Sequence, residues 1–434
     1  MSTITVKPAR SLKGEIALPG DKSISHRALF ISSLAKGQTT IEGFPESTDC
    51  LSTLKALLSL GIEIKREGER VLVSGKGKDG FHPPSEIIDC GNSGTTMRLL
   101  SGIAAGLPFK TVLTGDQSLR RRPMARIAEP LRLMGATVLT QPNGLPPVTI
   151  IGGSLSGIEY RMPIASAQVK SCLLFAGLFA SGTTTIVEPI PTRDHTERML
   201  SYFGGSLKYF FAGEEKKISL EGGQRLTGQK IKIPGDFSAA SYFMAAAALV
   251  SEGEILIKNV GINPTRTAFL RTLVKMGARI QIQNQREEGG EPVGDILVKG
   301  GGGLKGITVF GSLIPNLIDE IPLLAVVGLF AQGKTEVKDA AELRVKESDR
   351  IASIVTELRK MGARIEERED GFVLFGPQKL QGTRVHSHFD HRIAMSLAVA
   401  GLAAFGETVI EEPDCVAISF PQFFHTLNTV SCVK

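Results

Sequence analysis

The stretch Leu18-Pro-Gly-Asp21-Lys22-Ser23-Ile-Ser25-His26-Arg27 gathers groups that handle anions. Pro-Gly-Asp makes a turn, Asp21 or Ser23 can cap a helix, and Lys22, Ser23 and Arg27 then crowd its first turns. Positions 23 and 27 are four apart and share one helix face. A helix N-terminus carrying a lysine and an arginine suits phosphate or carboxylate, although a solvated basic helix start has the same composition. Asp89-Cys-Gly91-Asn-Ser93-Gly94-Thr95 places small residues and hydroxyls before a second apolar helix, where backbone amides can approach an anion closely. Arg120-Arg121-Arg122-Pro123 is a cationic loop expected to end at a proline-started helix, and Ser166-Ala167-Gln168-Val-Lys170-Ser171 opens another helix with polar groups.

The second half of the chain adds acids. Asp319 and Glu320 stand beside a helix rich in Leu and Val, and Arg344-Val-Lys346-Glu347-Ser-Asp349-Arg350 packs three cations and two acids into one short run. That run also fits a solvated helix start with i,i+4 pairing. Each stretch alone is ambiguous, but all fall at strand-to-helix junctions. On two domains facing one cleft they would assemble a cationic pocket with a few acids, which is chemistry for multiply anionic substrates. Such a cleft is expected to close when the anions bridge both basic faces.

The elements that must position these groups follow a repeat. An apolar helical run, a glycine and an alternating strand recur as KGQTTIEGF, LPFKTVLTG, SGTTTIVEP, EGEILIKNV, QGKTEVKDA and FGETVIEEP. Their leading glycines (37, 106, 182, 253, 333 and 406) lie roughly 70–80 residues apart. A second set, LLSLGIEI, LRLMGATV, SYFGGSLK, LVKMGARI and LRKMGARI, interleaves with the first and reads as helix, glycine cap, strand. Six duplicated α/β units grouped three and three are the simplest packing. Runs such as FSAASYFMAAAALV and IAMSLAVAGLAA are apolar around most of their circumference, which predicts helices inside and sheets outside. The domain change is expected near the turn at 233–236, giving 21–234 as one domain and 1–20 plus 235–434 as the other.

Several function classes are disfavoured. The net charge is +6, but aromatics are only 6%, Trp is absent and there is no dense Lys/Arg tract, so a nucleic-acid surface is not expected. No apolar run reaches the roughly 18–20 residues that span a bilayer, and the N-terminus lacks a secretory apolar stretch, so a cytoplasmic enzyme is expected. Five cysteines without a C-x-x-C pair suggest neither a disulfide framework nor a zinc knuckle. Gly328 to Thr335 fits a phosphate-loop pattern, yet its helix precedes and its strand follows, the reverse of what phosphate binding needs. Gly301, Gly303 and Gly306 match a dinucleotide fingerprint but lead into a strand. His386, His388, Asp390 and His391 have zinc-like spacing, but the later ligands of a two-metal hydrolase are missing.

Together LPGDKSISHR, GNSGTTMRLL, LTGDQSLRRRPM, SAQVKS, RVKESDRI and FDHRIAMSLAVAGL resemble the 5-enolpyruvylshikimate-3-phosphate synthase family, in its order, from Lys22 to Pro421. The resemblance implies an α/β fold of two domains, each an inside-out barrel of three βαβαββ units, with the active site in the interdomain cleft. It implies transfer of the enolpyruvyl group of phosphoenolpyruvate to the 5-hydroxyl of shikimate 3-phosphate, with phosphate released through a tetrahedral ketal. Lys22 would meet both substrates; Ser23, Arg27, Ser166, Ala167, Gln168, Arg193, Asp319 and Lys346 would bind shikimate 3-phosphate. Gly94, Arg122, Gln168, Arg350 and Arg392 would bind phosphoenolpyruvate. Asp319 would accept the hydroxyl proton, and Glu347 would handle the methylene proton. No metal or nucleotide cofactor is implied, and a monomer acting on small molecules, without nucleic acid or membrane partners, is expected. The chain departs from many members at Ala167, Glu342 and Ile418. The sister family acting on UDP-N-acetylglucosamine uses a cysteine in the loop matching Gly115–Met124, and none occurs there. A basic nucleic-acid-binding repeat protein is the alternative from another class.

Overall fold

The structure, a computed structural model, describes residues 2–213 and 215–433. It is a mixed α/β fold. Among the described residues six sheets form, and five share one topology. In Lys230–Lys232, Lys36–Glu42, Arg70–Lys76 and Glu63–Glu67, the first pair is parallel and the next two pairs are antiparallel. The same order recurs around the strands Lys110–Thr114, Thr183–Glu188 and Gly333–Val337. Strand Ala9–Ala17 takes the parallel place beside Glu252–Gly261, and strand Thr3–Val6 runs antiparallel to Thr408–Glu411.

The helices that precede the repeated strands carry no polar stripe. Phe237–Leu249 is buried from Phe237 to Ala248, Ile321–Phe330 from Ile321 to Leu329, and His391–Ala403 from His391 to Leu402. A helix apolar on every side is stable in water only when other elements cover it all round. Small residues let such helices meet: a Cβ on Gly102 would lie 2.1 Å from the carbonyl oxygen of Cys172 on helix Ala167–Phe179. The second glycine series closes the outer helices. Gly61, Gly135, Gly204, Gly277 and Gly362 each follow a helix C-cap with φ between 83 and 107°, the left-handed turn that glycine adopts without a Cβ penalty. The leading glycines of the first series behave differently: Gly37, Gly182, Gly333 and Gly406 also have positive φ, but Gly106 and Gly253 do not.

The chain divides into two compact units. One comprises Gly20–Pro234 with Glu287–Glu291, the tip of the hairpin Arg279–Glu288 and Glu291–Lys299. In this unit buried His195 meets Glu291 Oε1 through Nδ1 at 2.7 Å. The other comprises Met1–Pro19, Gly235–Arg286 and Pro292–Lys434. One local expectation changes. The helix after the Arg120–Arg122 loop begins at Ala125, not at Pro123, because Met124 turns first and donates its N–H to Gly144 O at 2.7 Å. The zinc-like histidines serve as supports: His388 Nε2 and the His386 N–H lie 2.7 and 2.9 Å from the two oxygens of Glu357. Among the described residues no group of three or more His, Cys, Asp or Glu could hold a metal ion.

Glu357 also sets a pH prediction. Burial pushes its carboxyl up, but His388, Lys360 and the His386 N–H outweigh it and hold the group down to about 2. A depressed folded-state value stabilises the fold above the ordinary carboxyl range, and that contribution is lost as pH falls toward 2. We expect Glu357→Gln to flatten the decline of the melting temperature between about pH 5 and pH 2, as followed by circular dichroism. A decline as steep as the wild type's would remove Glu357 as its cause.

Candidate anion-binding and catalytic site

In the unit of residues 20–234, three helix N-termini carry the polar groups. Asp21 caps helix Lys22–Leu34 by accepting from the Ile24 N–H at 2.9 Å, Ser93 caps Gly94–Ala105, and Ser166 caps Ala167–Phe179. A buried chain of hydroxyls ties the first two together. His26 Nδ1 meets Thr53 Oγ1 at 2.7 Å, Thr53 meets Thr96 at 2.6 Å, and Thr96 donates to Ser93 Oγ at 2.8 Å. Burial, then Lys22 and Arg27, push His26 well below its ordinary value, so it stays neutral. A neutral imidazole adds no charge where Lys22 and Arg27 already concentrate it.

The cations are fixed rather than free-swinging. Lys22 Nζ is 2.9 Å from Asp49 Oδ2. Arg27 donates from Nε to Thr196 Oγ1 at 2.6 Å, and its two terminal nitrogens reach Ser171 Oγ and the Ser23 carbonyl, each at 2.9 Å. Burial, opposed by Glu197 and reinforced by Arg193, pulls the Arg27 guanidinium down to about 10. Arg122 holds Asn92 Oδ1 at 2.6 Å and Ser118 Oγ at 3.0 Å. Arg98 donates to Gln168 Oε1 at 2.7 Å, while Gln168 Nε2 donates to Thr95 Oγ1 at 3.0 Å. A Cβ on Gly94 would approach Arg98 Nη1 to 2.9 Å and Arg122 Nη1 to 3.6 Å, so glycine keeps both guanidiniums close to a helix N-terminus. The hydroxyl of Ser23 makes no hydrogen bond among the described residues.

Behind Arg27 lies a buried ion cluster. Lys170 Nζ sits 3.1 Å from Glu188 and 2.8 Å from Glu197, with all three side chains at most 1% exposed. Glu188 in turn accepts from the Thr192 N–H at 3.2 Å, next to Arg193.

In the other unit, arginines and acids interlock at the starts of helices Ile321–Phe330, Arg350–Lys360 and His391–Ala403. Arg350 binds Asp390 Oδ2 through Nε at 2.8 Å, Glu347 Oε2 at 2.5 Å and Asp319 Oδ1 at 3.3 Å. Arg392 Nε lies 3.4 Å from the same Asp319 oxygen. Burial lowers the charge preference of both guanidiniums, but their acids more than restore it and raise them above the ordinary range. Glu320, adjacent in sequence to Asp319, is spent on a paired contact with Arg266 at 2.9 and 3.0 Å and is fully buried. Asp319 and Glu347 keep 16 and 17% of their side chains exposed, so of these acids they are the ones that can touch a ligand. Lys346 contacts Glu342 at 3.1 Å; burial lowers its ammonium against the opposing pull of Glu342 and Asp319.

A protein-family model described as EPSP synthase (3-phosphoshikimate 1-carboxyvinyltransferase) matches residues 6–427. The chain belongs to the EPSP synthase family. Among its relatives, the 3-phosphoshikimate 1-carboxyvinyltransferase of Thermodesulfovibrio yellowstonii is 54% identical, with 98% of both chains covered. The enzyme of that name from Desulforudis audaxviator is 50% identical, with 99% of both covered. The solved EPSP synthase of Acinetobacter baumannii superposes with a TM-score of 0.87 at 44% identity, covering 99% of this chain and 98% of the other.

Sequence reasoning toward the EPSP synthase family passed over several groups that the geometry makes prominent. Arg98 steers Gln168, Asp49 orients Lys22, and Thr196 with Ser171 aims Arg27. Asp390, read in the sequence only as part of a zinc-like spacing set aside for want of later ligands, caps its helix and anchors Arg350. The available signal was a charged or hydroxyl side chain within the first turns of otherwise apolar helices. The phosphate-loop lysine, Lys334, lies on strand Gly333–Val337 and pairs with Glu336 at 2.9 Å.

Proposed function

We propose that this protein transfers the enolpyruvyl group of phosphoenolpyruvate to the 5-hydroxyl of shikimate 3-phosphate, releasing phosphate, as a step in aromatic amino acid biosynthesis. Membership of the EPSP synthase family over nearly the whole chain carries the reading. The fixed cations of each unit support it. In this reading Ser23, Arg27, Ser166, Ala167, Gln168, Arg193 and Lys346 hold shikimate 3-phosphate. Gly94, Arg122, Gln168, Arg350 and Arg392 hold phosphoenolpyruvate, and Lys22 contacts both. The buried apolar helices support a finer reading of each unit as an inside-out α/β barrel. The setting we propose is the cytoplasm, with the protein a monomer acting on small molecules.

The chemistry divides between two carboxylates. Asp319 takes the 5-hydroxyl proton, and the oxygen attacks C2 of phosphoenolpyruvate as Glu347 protonates the C3 methylene. The tetrahedral ketal phosphate then loses phosphate as C3 gives its proton back. Arginines and Lys22 stabilise the charge that collects on the leaving phosphate. Arg350 is paired with Asp319 and Glu347, and Arg392 with Asp319. An arriving carboxylate or phosphate competes for those guanidiniums and releases the acids to move protons.

The decisive assay is release of inorganic phosphate from phosphoenolpyruvate, strictly dependent on shikimate 3-phosphate and unaffected by a chelator. Release that needs UDP-N-acetylglucosamine instead, or none with either acceptor, would sink the reading. Lys22→Ala should lower kcat/KM by about 10²-fold or more, the scale of losing one donor to developing charge, with the melting temperature kept. A near-normal kcat/KM would take Lys22 out of the site.

A further inference from the structure

A second depression lies in the unit of residues 20–234 with 287–291; none of the residues given a substrate role above lines it, although Asp194, next in sequence to Arg193, does. It is a cavity of 460 Å³, within the range of roughly 300–1,000 Å³ that small-molecule sites occupy. Helix His195–Tyr202 contributes Arg198 and Tyr202, strand Leu207–Ala212 contributes Tyr209 and Phe211, and Asp194, Lys216 and Glu287 are among the other lining residues. Tyr209 and Phe211 are two apart on a strand and therefore face the same way. Phe211 is 70% exposed, a poor position for a large ring unless something covers it.

The charges around these rings are only partly satisfied: Arg198 pairs with Asp194, and Lys216 lies 3.4 Å from Glu197. Arg198 uses Nε on Asp194 Oδ2 at 2.9 Å, and its two terminal nitrogens make no hydrogen bond among the described residues. Glu287 has no hydrogen bond or ion pair among them either. Lys216 Nζ stands 5.0 Å from the centroid of the Tyr209 ring, close enough for a cation–π contact. A guanidinium with both terminal nitrogens unbonded, an unpaired carboxylate and aromatic walls on one cavity ask for a ligand bearing a carboxylate, an ammonium group and a flat ring.

We infer that this cavity binds an aromatic α-amino acid. Its carboxylate takes the fork of Arg198 with Lys216 beside it, its ring stacks on Phe211 and Tyr209, and its ammonium meets Glu287. Titration calorimetry of the full chain with L-phenylalanine tests this. Saturable binding of one molecule per chain is expected with a Kd of about 1 mM or tighter, unchanged by saturating phosphoenolpyruvate and shikimate 3-phosphate. Phenylacetate and phenethylamine, each lacking one charge, should bind at least about tenfold more weakly, since each leaves a group of the site unpaired. Phe211→Ala and Glu287→Gln, both at exposed positions where folding is not at stake, should each weaken binding about fivefold or more. No saturable heat, phenylacetate binding as tightly as phenylalanine, or both variants binding like the wild type would overturn the inference.

Discussion

Asp319→Asn should reduce kcat by about 10³-fold, in the middle of the range for loss of a positioned general base, while the protein melts at its usual temperature. Asparagine keeps the shape of the side chain and still offers an oxygen to Arg350 and Arg392, which lie 3.3 and 3.4 Å from the native carboxylate. What it cannot do is accept a proton. The variant thereby separates two roles. If Asp319 only braces the arginines, Asn should raise KM for phosphoenolpyruvate and leave kcat nearly intact. If it is the base, KM should hardly move, kcat should collapse and the acidic limb of the pH–rate profile should vanish. A kcat within a few-fold of the wild type would end its assignment as the proton acceptor.

The second large effect concerns stability. Lys170 is fully buried between Glu188 and Glu197, at 3.1 and 2.8 Å. Burial opposes its charge, but the two glutamates more than offset that and raise the ammonium above its ordinary value. Lys170→Met fits the same space and leaves two carboxylates in the interior with Lys216, 3.4 Å from Glu197, as the remaining lysine in contact among the described residues. Removing one partner of a buried ion cluster typically costs about 3–5 kcal/mol, and we expect a loss of that size in urea unfolding. Because Glu188 also holds the Thr192 N–H beside Arg193, the KM for shikimate 3-phosphate should rise as well. A loss below about 1 kcal/mol would mean the two glutamates are protonated or hydrated in the fold, contrary to the dry cluster described.

Much of this was legible in the chain because the repeat wrote it several times. The glycines at 61, 135, 204, 277 and 362 announced helix ends, and the runs at 237–250 and 393–404 announced helices with no wet face. The helix starts with Lys22, Gly94, Ser166, Asp319 and Arg392 were likewise visible as polar residues breaking an apolar pattern. Pairings across long sequence distances were not visible. Nothing local says that Arg27 will rest on Ser171 and Thr196, or that Glu320 rather than Asp319 will be consumed by Arg266. Two adjacent carboxylates look alike in a sequence; only burial, complete for one and partial for the other, tells the structural acid from the available one. The zinc-like spacing at 386–391, set aside from the sequence, is uninformative for a related reason. Spacing records which side chains are near in the chain, whereas Glu357 and Arg350, the actual partners of His388 and Asp390, come from the preceding helix.

The parallel pairing of strand Ala9–Ala17 with Glu252–Gly261 bears on how the chain is made. A ribosome releases segments in order, at about 5–20 residues per second. Strand Ala9–Ala17 therefore emerges well before its neighbour, waiting for tens of seconds at the slower rates with its N–H and C=O groups unsatisfied. Residues 20–234 meanwhile hold most of their own unit and can collapse around their apolar helices. Premature pairing of that early strand with another nascent chain is the hazard this topology creates during translation.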